Sequence, residues 1–498
     1  VKDKTKDVEM PIIGREREIK TLNQFLSSNV PEFLAIYGRR RVGKTFLIRN
    51  FFENKNVLFF NVTGAKDGKL SEQIGHFTKE MGKIFYHGAQ LKVAKNWDST
   101  FEILTEAFKS VPKNKKIVLF FDEFPWMASK NSRLVQNLAY YWNQHWSRDK
   151  RIKLIICGSS ASWIIEKIVN NKGGLHNRLT RNIYLEPFDL RDTKRFLNYL
   201  GVRLSHEQIL QIYMAIGGIP YYLSKIERGL SATQNIETLA FQRKGFLLEE
   251  FDNLFSSLYD DHGGYIEIVR LISSRRYGIG QEELLKQLGK TLHGKTGLKK
   301  LKALQEANFI IGFKPQFSKK KGIYYKTIDE YTLFYLDWID PIKSTLLTKG
   351  LTKGYWEKQQ SSASWNSWAG YAFEAVCYKH LSQINQALRM SPTAVPNTWR
   401  YVPRQGTQEQ GAQIDLLFDR EDDSITVCEI KYTERPYVID KKEAAQLKNK
   451  IAVFKGKTRT KKQIFLATIS TNGVKKTIYS EEMVDGVVTL DELFKKSP

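Results

Sequence analysis

Residues 38–45 read Gly-Arg-Arg-Arg-Val-Gly-Lys-Thr. A glycine, four free positions and Gly-Lys-Thr is the spacing of a phosphate-binding loop. The chemistry is charge neutralisation. Backbone N–H groups along Gly38, Arg39, Arg40, Arg41, Val42 and Gly43 wrap phosphate oxygens, and the helix that follows adds positive potential at its N-terminus. Lys44 reaches the outer phosphates, and Thr45 offers its hydroxyl to Mg²⁺. A second acid-bearing segment, Ile117-Val118-Leu119-Phe120-Phe121-Asp122-Glu123, is a buried strand ending in two carboxylates. Phosphoryl transfer needs positioning and charge neutralisation more than covalent chemistry. Asp122 would hold Mg²⁺ through water or through Thr45, and Glu123 would polarise the attacking water. Gly158-Ser159-Ser160 ends the next apolar run. Ser159 either senses the γ-phosphate there or belongs to a simple strand-ending turn.

Near the other end of the chain stand Gln413-Ile414-Asp415-Leu416-Leu417 and Ile425-Thr426-Val427-Cys428-Glu429-Ile430-Lys431. Glu429 and Lys431 lie two apart and so share one face of a strand. Asp415 and Glu429 would bind Mg²⁺ or Mn²⁺ as hard oxygen ligands. Such a metal lowers the pKa of a bound water and offsets charge on a scissile phosphate. Lys431 would orient that water or stabilise the developing negative charge. This is the pattern of PD-(D/E)XK nucleases, with Ile414 where the motif's name has proline. The motif is short, and an ordinary strand pair with surface charge has the same spacing. Phe373-Glu374 lies on a helix, Trp368 to Leu381, ahead of the strand pair, where this nuclease fold places another acid. Gln446, on the next helix, either supports the site or is solvated.

The elements that must position these groups follow from apolar periodicity. From Ile13 to Phe188, continuous apolar runs alternate with helical patterns. Phe33 to Tyr37, Val57 to Val62, Ile117 to Phe121 and Leu154 to Cys157 are continuous rather than alternating, which suits strands covered on both faces of a parallel sheet. This predicts a doubly wound α/β core over residues 11–189. Residues 190–262 read as a helical lid, interrupted by Gly217-Gly218-Ile219-Pro220. Residues 263–339 have the plan of a winged helix: short helices, then strands Phe309 to Phe313 and Ile323 to Lys326 around a lysine-rich wing. Residues 340–364 are polar and lysine-rich, a linker or strap. Residues 365–498 form a second α/β unit, restriction-endonuclease-like if the acids work as proposed.

The chain has 498 residues, room for about three domains of roughly 150 each. Hydrophobic residues make up 42%, enough for real cores. The formal net charge of +25 makes a polyanion a serious partner, although charge alone also describes a generally basic protein. The three cysteines, Cys157, Cys377 and Cys428, sit far apart in apolar contexts. This fits buried thiols in a reducing cytoplasm, not a disulfide framework or a zinc site. No apolar stretch approaches the roughly 18 residues of a membrane span. Val1 to Glu9 is charged and lacks a signal-peptide core, and Met10 is a candidate natural start.

The chain resembles the prokaryotic AAA+/STAND-like P-loop ATPases often called archaeal ATPases. Gly14-Arg15-Glu16-Arg17-Glu18, Gly38 to Thr45, Asp122-Glu123 and Gly158-Ser159-Ser160 carry the likeness, which implies ATP as the nucleotide. The first of these segments lies near the adenine in the family. Gly217-Gly218-Ile219-Pro220-Tyr221-Tyr222-Leu223 resembles the family's helical-domain signature, implying that the region of Pro220 packs against the base. Arg178 matches the arginine before the last core strand. The resemblance implies that it stabilises transition-state charge, in cis or from a neighbouring subunit, with Arg181 as a rival and a plain surface arginine as the alternative. No separate arginine of the second-sensor type is visible, which sets the chain apart from ring-forming motors. The C-terminal stretch resembles a domain of unknown function fused to these ATPases, through Gly370 to Glu374, Gly411 to Leu417 and Cys428 to Tyr432.

Lys295, Lys299, Lys300 and Lys302, with Lys319-Lys320-Lys321 in the wing, would contact nucleic-acid phosphates without reading sequence, and Phe317, Tyr324 and Tyr325 interleave aromatics among them. A spacer or dimerisation lid is the equal alternative. Together these readings give an ATP-regulated, metal-dependent nuclease acting on DNA, in a setting of defence or mobile-element control. The alternatives are a nucleotide-switched regulator that binds DNA without cutting it, and a STAND-type scaffold that forms homo-oligomers around a protein trigger.

Overall fold

The computed structural model describes residues 11–129, 131–170, 173–289, 292, 294–315, 322–403, 406 and 409–497. Residues 1–9, the wing lysines Lys319, Lys320 and Lys321, and Phe317 lie outside the described residues. The chain divides after Pro187 into two compact units.

The first unit is built on a five-stranded sheet. Its strands are β1 (Glu32–Tyr37), β2 (Val57–Thr63), β3 (Lys116–Asp122), β4 (Ile152–Gly158) and β5 (Arg181–Tyr184). Their order is β2-β3-β4-β1-β5, and every pairing is parallel. β1, β3 and β4 are buried almost throughout, as their unbroken apolar runs require. Alternate residues face opposite layers. Phe33, Ala35, Phe60, Leu119 and Phe121 pack with Phe77, Trp97, Phe101 and Trp142, from the helices Leu70–Phe85, Trp97–Ala107 and Leu134–Gln144. On the other face Phe52, from the helix Lys44–Phe52, stacks on Phe59 at 5.7 Å, and Phe59 stacks on Phe120 at 6.2 Å. All parallel strands therefore end on one edge, where β1 delivers Gly38 and β3 delivers Asp122.

The second unit begins with helices Leu190–Tyr199, His206–Ile216, Pro220–Leu223, Ala232–Ile236 and Leu247–Leu258. A small antiparallel sheet follows, β6 (Ile279–Gly280), β7 (Ile310–Phe313) and β8 (Tyr324–Thr327), in the order β6-β8-β7. Helices His262–Ser273, Gln281–Gln287 and Lys295–Glu306 accompany it. The last sheet is mixed. Its strands β9 (Val395–Tyr401), β10 (Ala412–Asp419) and β11 (Ser424–Lys431) run antiparallel, while β12 (Gln463–Ser470) and β13 (Gly486–Thr489) run parallel to β11.

Several expectations change here. Residues 340–364 are not a bare linker: they carry the helices Lys343–Thr348 and Tyr355–Gln360. Trp356 is fully buried there, stacked on Phe241 at 4.9 Å and edge-on to Trp338 and Trp365. One tryptophan thus anchors a segment whose average composition is polar. The helix bearing Glu374 starts earlier than its apolar pattern suggests, at Ala363, because Ser362 caps it by accepting from Trp365 N, and it ends at Lys379. Lys300, expected on phosphates, is 6% exposed. Its ammonium donates to Asp261 Oδ2 at 2.8 Å and lies 4.0 Å above the Tyr265 ring, so it belongs to the fold. Tyr325 is also buried, donating its hydroxyl to Gln281 at 3.0 Å. Lys295, Lys299 and Lys302 are exposed.

Gly218 shows how tightly the glycine turn is packed. Its oxygen accepts from Phe188 N at 2.7 Å, and an added Cβ would lie 1.8 Å from Phe188 O. Gly218→Ala is expected to lower stability by roughly 1–3 kcal/mol, the usual cost of overpacking. An unchanged urea or thermal midpoint for this variant would refute that packing.

Candidate functional site

The phosphate loop is shaped by two glycines. Gly38 has φ +146°, and a Cβ there would sit 2.4 Å from Leu185 O, so the chain end of β1 admits no side chain. Gly43, at φ +94°, turns the backbone into the helix Lys44–Phe52. Lys44 is 4% exposed, and its ammonium donates to Gly38 O and Arg39 O, both at 2.9 Å. The lysine is thereby held inside its own loop. Arg39 is buried, while Arg40 and Arg41 are half-buried. Val42 is buried as well.

The strand ends meet this loop directly. Thr45 Oγ1 donates to Asp122 Oδ2 at 2.8 Å, and Asp122 Oδ1 accepts from Glu123 N at 3.0 Å. Glu123 sits in the left-handed region, at φ 44° and ψ 47°, a strain of order 1–3 kcal/mol for a residue with a side chain. Such strain persists where the surroundings fix the residue. Here Ser159 does so: its N–H donates to Glu123 Oε2 at 3.1 Å and its hydroxyl donates to Oε1. Ser159 therefore grips the second acid of the pair.

Arg15 does work at this site that its sequence motif only hinted at. Its guanidinium donates to Val42 O at 3.1 Å and to Glu186 O at 2.8 Å, bracing the loop against the segment after β5. Arg178 is exposed on the turn entering β5, where Thr180 N donates to Phe33 O at 2.9 Å. The phosphate loop leaves β1 after Tyr37, about 13 Å farther along the strand at 3.3 Å per residue. Arg178 thus enters at the opposite edge of the sheet. Arg181 lies at that same edge, 3.4 Å from Glu32 Oε1. Pro220 belongs to the second unit, at the first position of the helix Pro220–Leu223.

In the second unit the mixed sheet gathers the other set. β10 and β9 pair Ile414 with Trp399 and Leu417 with Asn397, so Asp415 and Leu416 together oppose Thr398. This is a β-bulge, a device that re-aims a side chain. It lets Ile414 and Leu417 both enter one apolar core with Ile425 and Val427, and it turns Asp415 away from that core. Asp415 shares a cleft of about 820 Å³ with Glu374, Gln413, Gln446 and Lys450. Its carboxylate accepts from Gln413, and its backbone oxygen accepts from Tyr378 OH at 2.5 Å. Glu429, on β11, is 6% exposed and is paired with Lys431 at 3.2 Å and with Lys450. Lys431 also reaches Glu443 at 3.2 Å, and the two acids hold its ammonium above the usual lysine range against the opposing effect of burial.

Glu374 accepts from Lys326 at 2.8 Å. Burial pushes its carboxyl up to about 7, with Asp415 and Glu429 adding repulsion and Lys326 opposing both. The structure therefore brings Glu374, Asp415, Glu429 and Lys431 to one corner. Lys450, Lys326 and Glu443 were not singled out from sequence. Lys450 follows Gln446 by one helical turn, the only local signal it gave.

Residues 12–226 match a family described as an ATPase domain predominantly from Archaea. This chain carries an archaeal-type ATPase domain. Residues 335–447 match a second family, described as archaeal and bacterial proteins of unknown function. An uncharacterized protein of Methanocaldococcus jannaschii is 28% identical over 427 residues, 85% of this chain and 88% of the relative. An uncharacterized ATP-binding protein of the same organism is 24% identical over 302 residues, 52% of this chain and 82% of the relative. Among solved structures, the Walker-type ATPase of Pyrococcus abyssi aligns with TM-score 0.46 and 19% identity, over 65% of this chain and 96% of that one. The ORC2 protein of Aeropyrum pernix aligns with TM-score 0.43 and 15% identity, over 67% and 95%.

In the ATPase domain, the Thr45 hydroxyl and the Asp122 carboxylate supply adjacent hard oxygens, the donor chemistry that Mg²⁺ takes. In the corner of the mixed sheet the donors are again carboxylates. Among the described residues, however, no three acids, histidines or cysteines close into a group ready for a metal. Ammonium groups of Lys326, Lys431 and Lys450 stand on these carboxylates in a cation's place. No described helix is long and apolar enough to cross a membrane.

Lys44→Ala removes the loop's inner cation. Each lost charge-assisted contact to phosphate is worth about 1.5–3 kcal/mol, so ATP affinity should fall roughly 10- to 150-fold. Titration with a fluorescent ATP analogue measures this, and equal affinity in both proteins would show that the loop does not hold the phosphates.

Proposed function

We propose that this protein binds and hydrolyses ATP, and that its nucleotide state governs a metal-dependent phosphodiesterase centre acting on DNA. In the ATPase domain, the loop from Gly38 to Gly43 and Lys44 bind the phosphates, and Thr45 and Asp122 would hold Mg²⁺. Glu123 takes the attacking water once nucleotide draws it from Ser159. Arg178, exposed at the far edge of the sheet, suits a neighbouring subunit's nucleotide better than its own. The region of Pro220 would pack on the base.

In the second unit, Asp415 and Glu429 would hold Mg²⁺ or Mn²⁺, with Glu374 beside them. A metal bound there lowers the pKa of its water and offsets phosphate charge. Lys431 holds the proton that steadies the developing charge at the phosphate, and Gln446 and Lys450 line the cleft through which a backbone would run. The segment around β6, β7 and β8 would act as a winged helix, with exposed Lys295, Lys299 and Lys302 on phosphates. The net charge of +25 favours a polyanion. The observation that carries the nuclease reading is the bulge at Asp415, which turns a carboxylate off an apolar sheet toward Glu374.

One observation favours a second reading. Glu429 carries two lysines, as it would in a regulator that binds DNA without cutting it.

Two measurements separate the possibilities. Glu123→Gln should keep ATP affinity while slowing hydrolysis about 10²- to 10⁴-fold, the range for loss of a general base. Supercoiled plasmid incubated with Mg²⁺ or Mn²⁺, with and without ATP, should be nicked by wild type and left intact by the Asp415→Ala/Lys431→Ala double variant. Equal cutting by both proteins sinks the nuclease assignment, and no cutting by either favours the non-cleaving regulator.

A further inference from the structure

Lys326 lies on β8, the central strand of the small antiparallel sheet, and is 8% exposed. Its ammonium donates to Glu374 Oε2 at 2.8 Å. The rings of Tyr371 and Tyr378 flank it, at 5.0 and 5.6 Å from their centroids. Tyr378 in turn holds the backbone of Asp415. A cation from the small sheet therefore sits inside the acid corner of the mixed sheet. Four residues on, Glu330 is 3% exposed and pairs with Lys379 at 2.6 Å, on the same helix as Glu374. Glu330 also abuts the glycine turn, where a Cβ added to Gly217 would lie 2.8 Å from its Oε2. Residues 326–330 thus touch both the helix of the acid corner and the turn that precedes Pro220.

We propose that Lys326 is an internal counter-cation that locks the acid corner, so that a divalent metal binds there only when Lys326 leaves Glu374. This rests on the reading of Glu374, Asp415 and Glu429 as a metal centre. The physical argument is exclusion by charge. A largely buried carboxylate among other carboxylates either takes up a proton or keeps a positive partner, and here Lys326 is that partner. An ammonium already in place satisfies Glu374 and repels a second cation across a short, poorly screened distance. The lock also has a route to the rest of its unit. A shift of Gly217 presses on Glu330, and Glu330 is held to the helix that carries Glu374. Coupling of this kind requires that the two arrangements differ in what binds them, which a metal that competes with Lys326 provides.

The test is Mn²⁺ binding to the full-length protein, read as loss of the free-ion electron paramagnetic resonance signal. Lys326→Met keeps the aliphatic stem and removes the charge. It should bind Mn²⁺ at least tenfold more tightly than wild type at a site abolished by Asp415→Ala, whereas Lys326→Arg should stay near wild type. Equal Asp415-dependent affinity in wild type and Lys326→Met overturns the lock and leaves the metal centre standing. If neither protein shows an Asp415-dependent site, the metal-centre reading fails and the lock with it. A measurement on wild type guards against a variant that does not fold. Saturating Mn²⁺ should raise amine-reactive labelling of Lys326 at least threefold by mass spectrometry, and unchanged labelling of a metal-loaded protein overturns the proposal.

Discussion

Carboxylates brought near one another away from bulk water repel, and the corner holding half-buried Glu374 and Asp415 and buried Glu429 is arranged around that repulsion. Lys326, Lys431 and Lys450 answer it from three different elements: the small sheet, β11 and the helix Lys441–Thr458. Breaking such a pair strands the remaining charge, at a cost that grows with its burial. The positions of these elements are therefore tied together by electrostatics as well as by apolar packing. Glu374 bears the strain most visibly, since burial and two like charges raise its carboxyl toward neutrality.

The ATPase domain solves a related problem with different means. Its loop concentrates donors for an anion, and Lys44 waits on two backbone oxygens of that same loop. The acids Asp122 and Glu123 are each occupied by a hydroxyl, Thr45 for one and Ser159 for the other. Hydroxyls are weaker partners than ammonium groups, and they yield to a metal or a water without stranding a charge. These two acid clusters thus differ in how firmly they are held. The first is poised to exchange partners, and the second is braced by ion pairs.

Much of the first unit was legible in the residues. Continuous, largely apolar runs marked four of its strands, and the loop spacing placed Gly38, Lys44 and Thr45 because these contacts are local in sequence. The acids of the second unit were also visible as residue types. What could not be read was their company. Lys326 and Glu374 lie in different elements, and no periodicity links them. The bulge at Asp415 depends on how β9 pairs with β10, which the sequence of β10 alone does not state. Lys300 looked like a phosphate contact because burial over Tyr265 leaves no mark in a lysine-rich run. Residues 340–364 looked like a linker because one tryptophan, not the average composition, decides their packing.

The bulge has an evolutionary side. It leaves two residues of β10 facing one of β9, an irregularity in an otherwise regular meander. Loss of a single residue between Ile414 and Leu417 would restore even pairing without disturbing the core that those two side chains share. Mutation offers that repair easily, and the repaired sheet would be more regular than this one. β-Bulges are over-represented next to active sites and tend to be kept within families. If the corner works as proposed, a lineage freed from the need for its carboxylate would be expected to straighten the strand by losing one residue here.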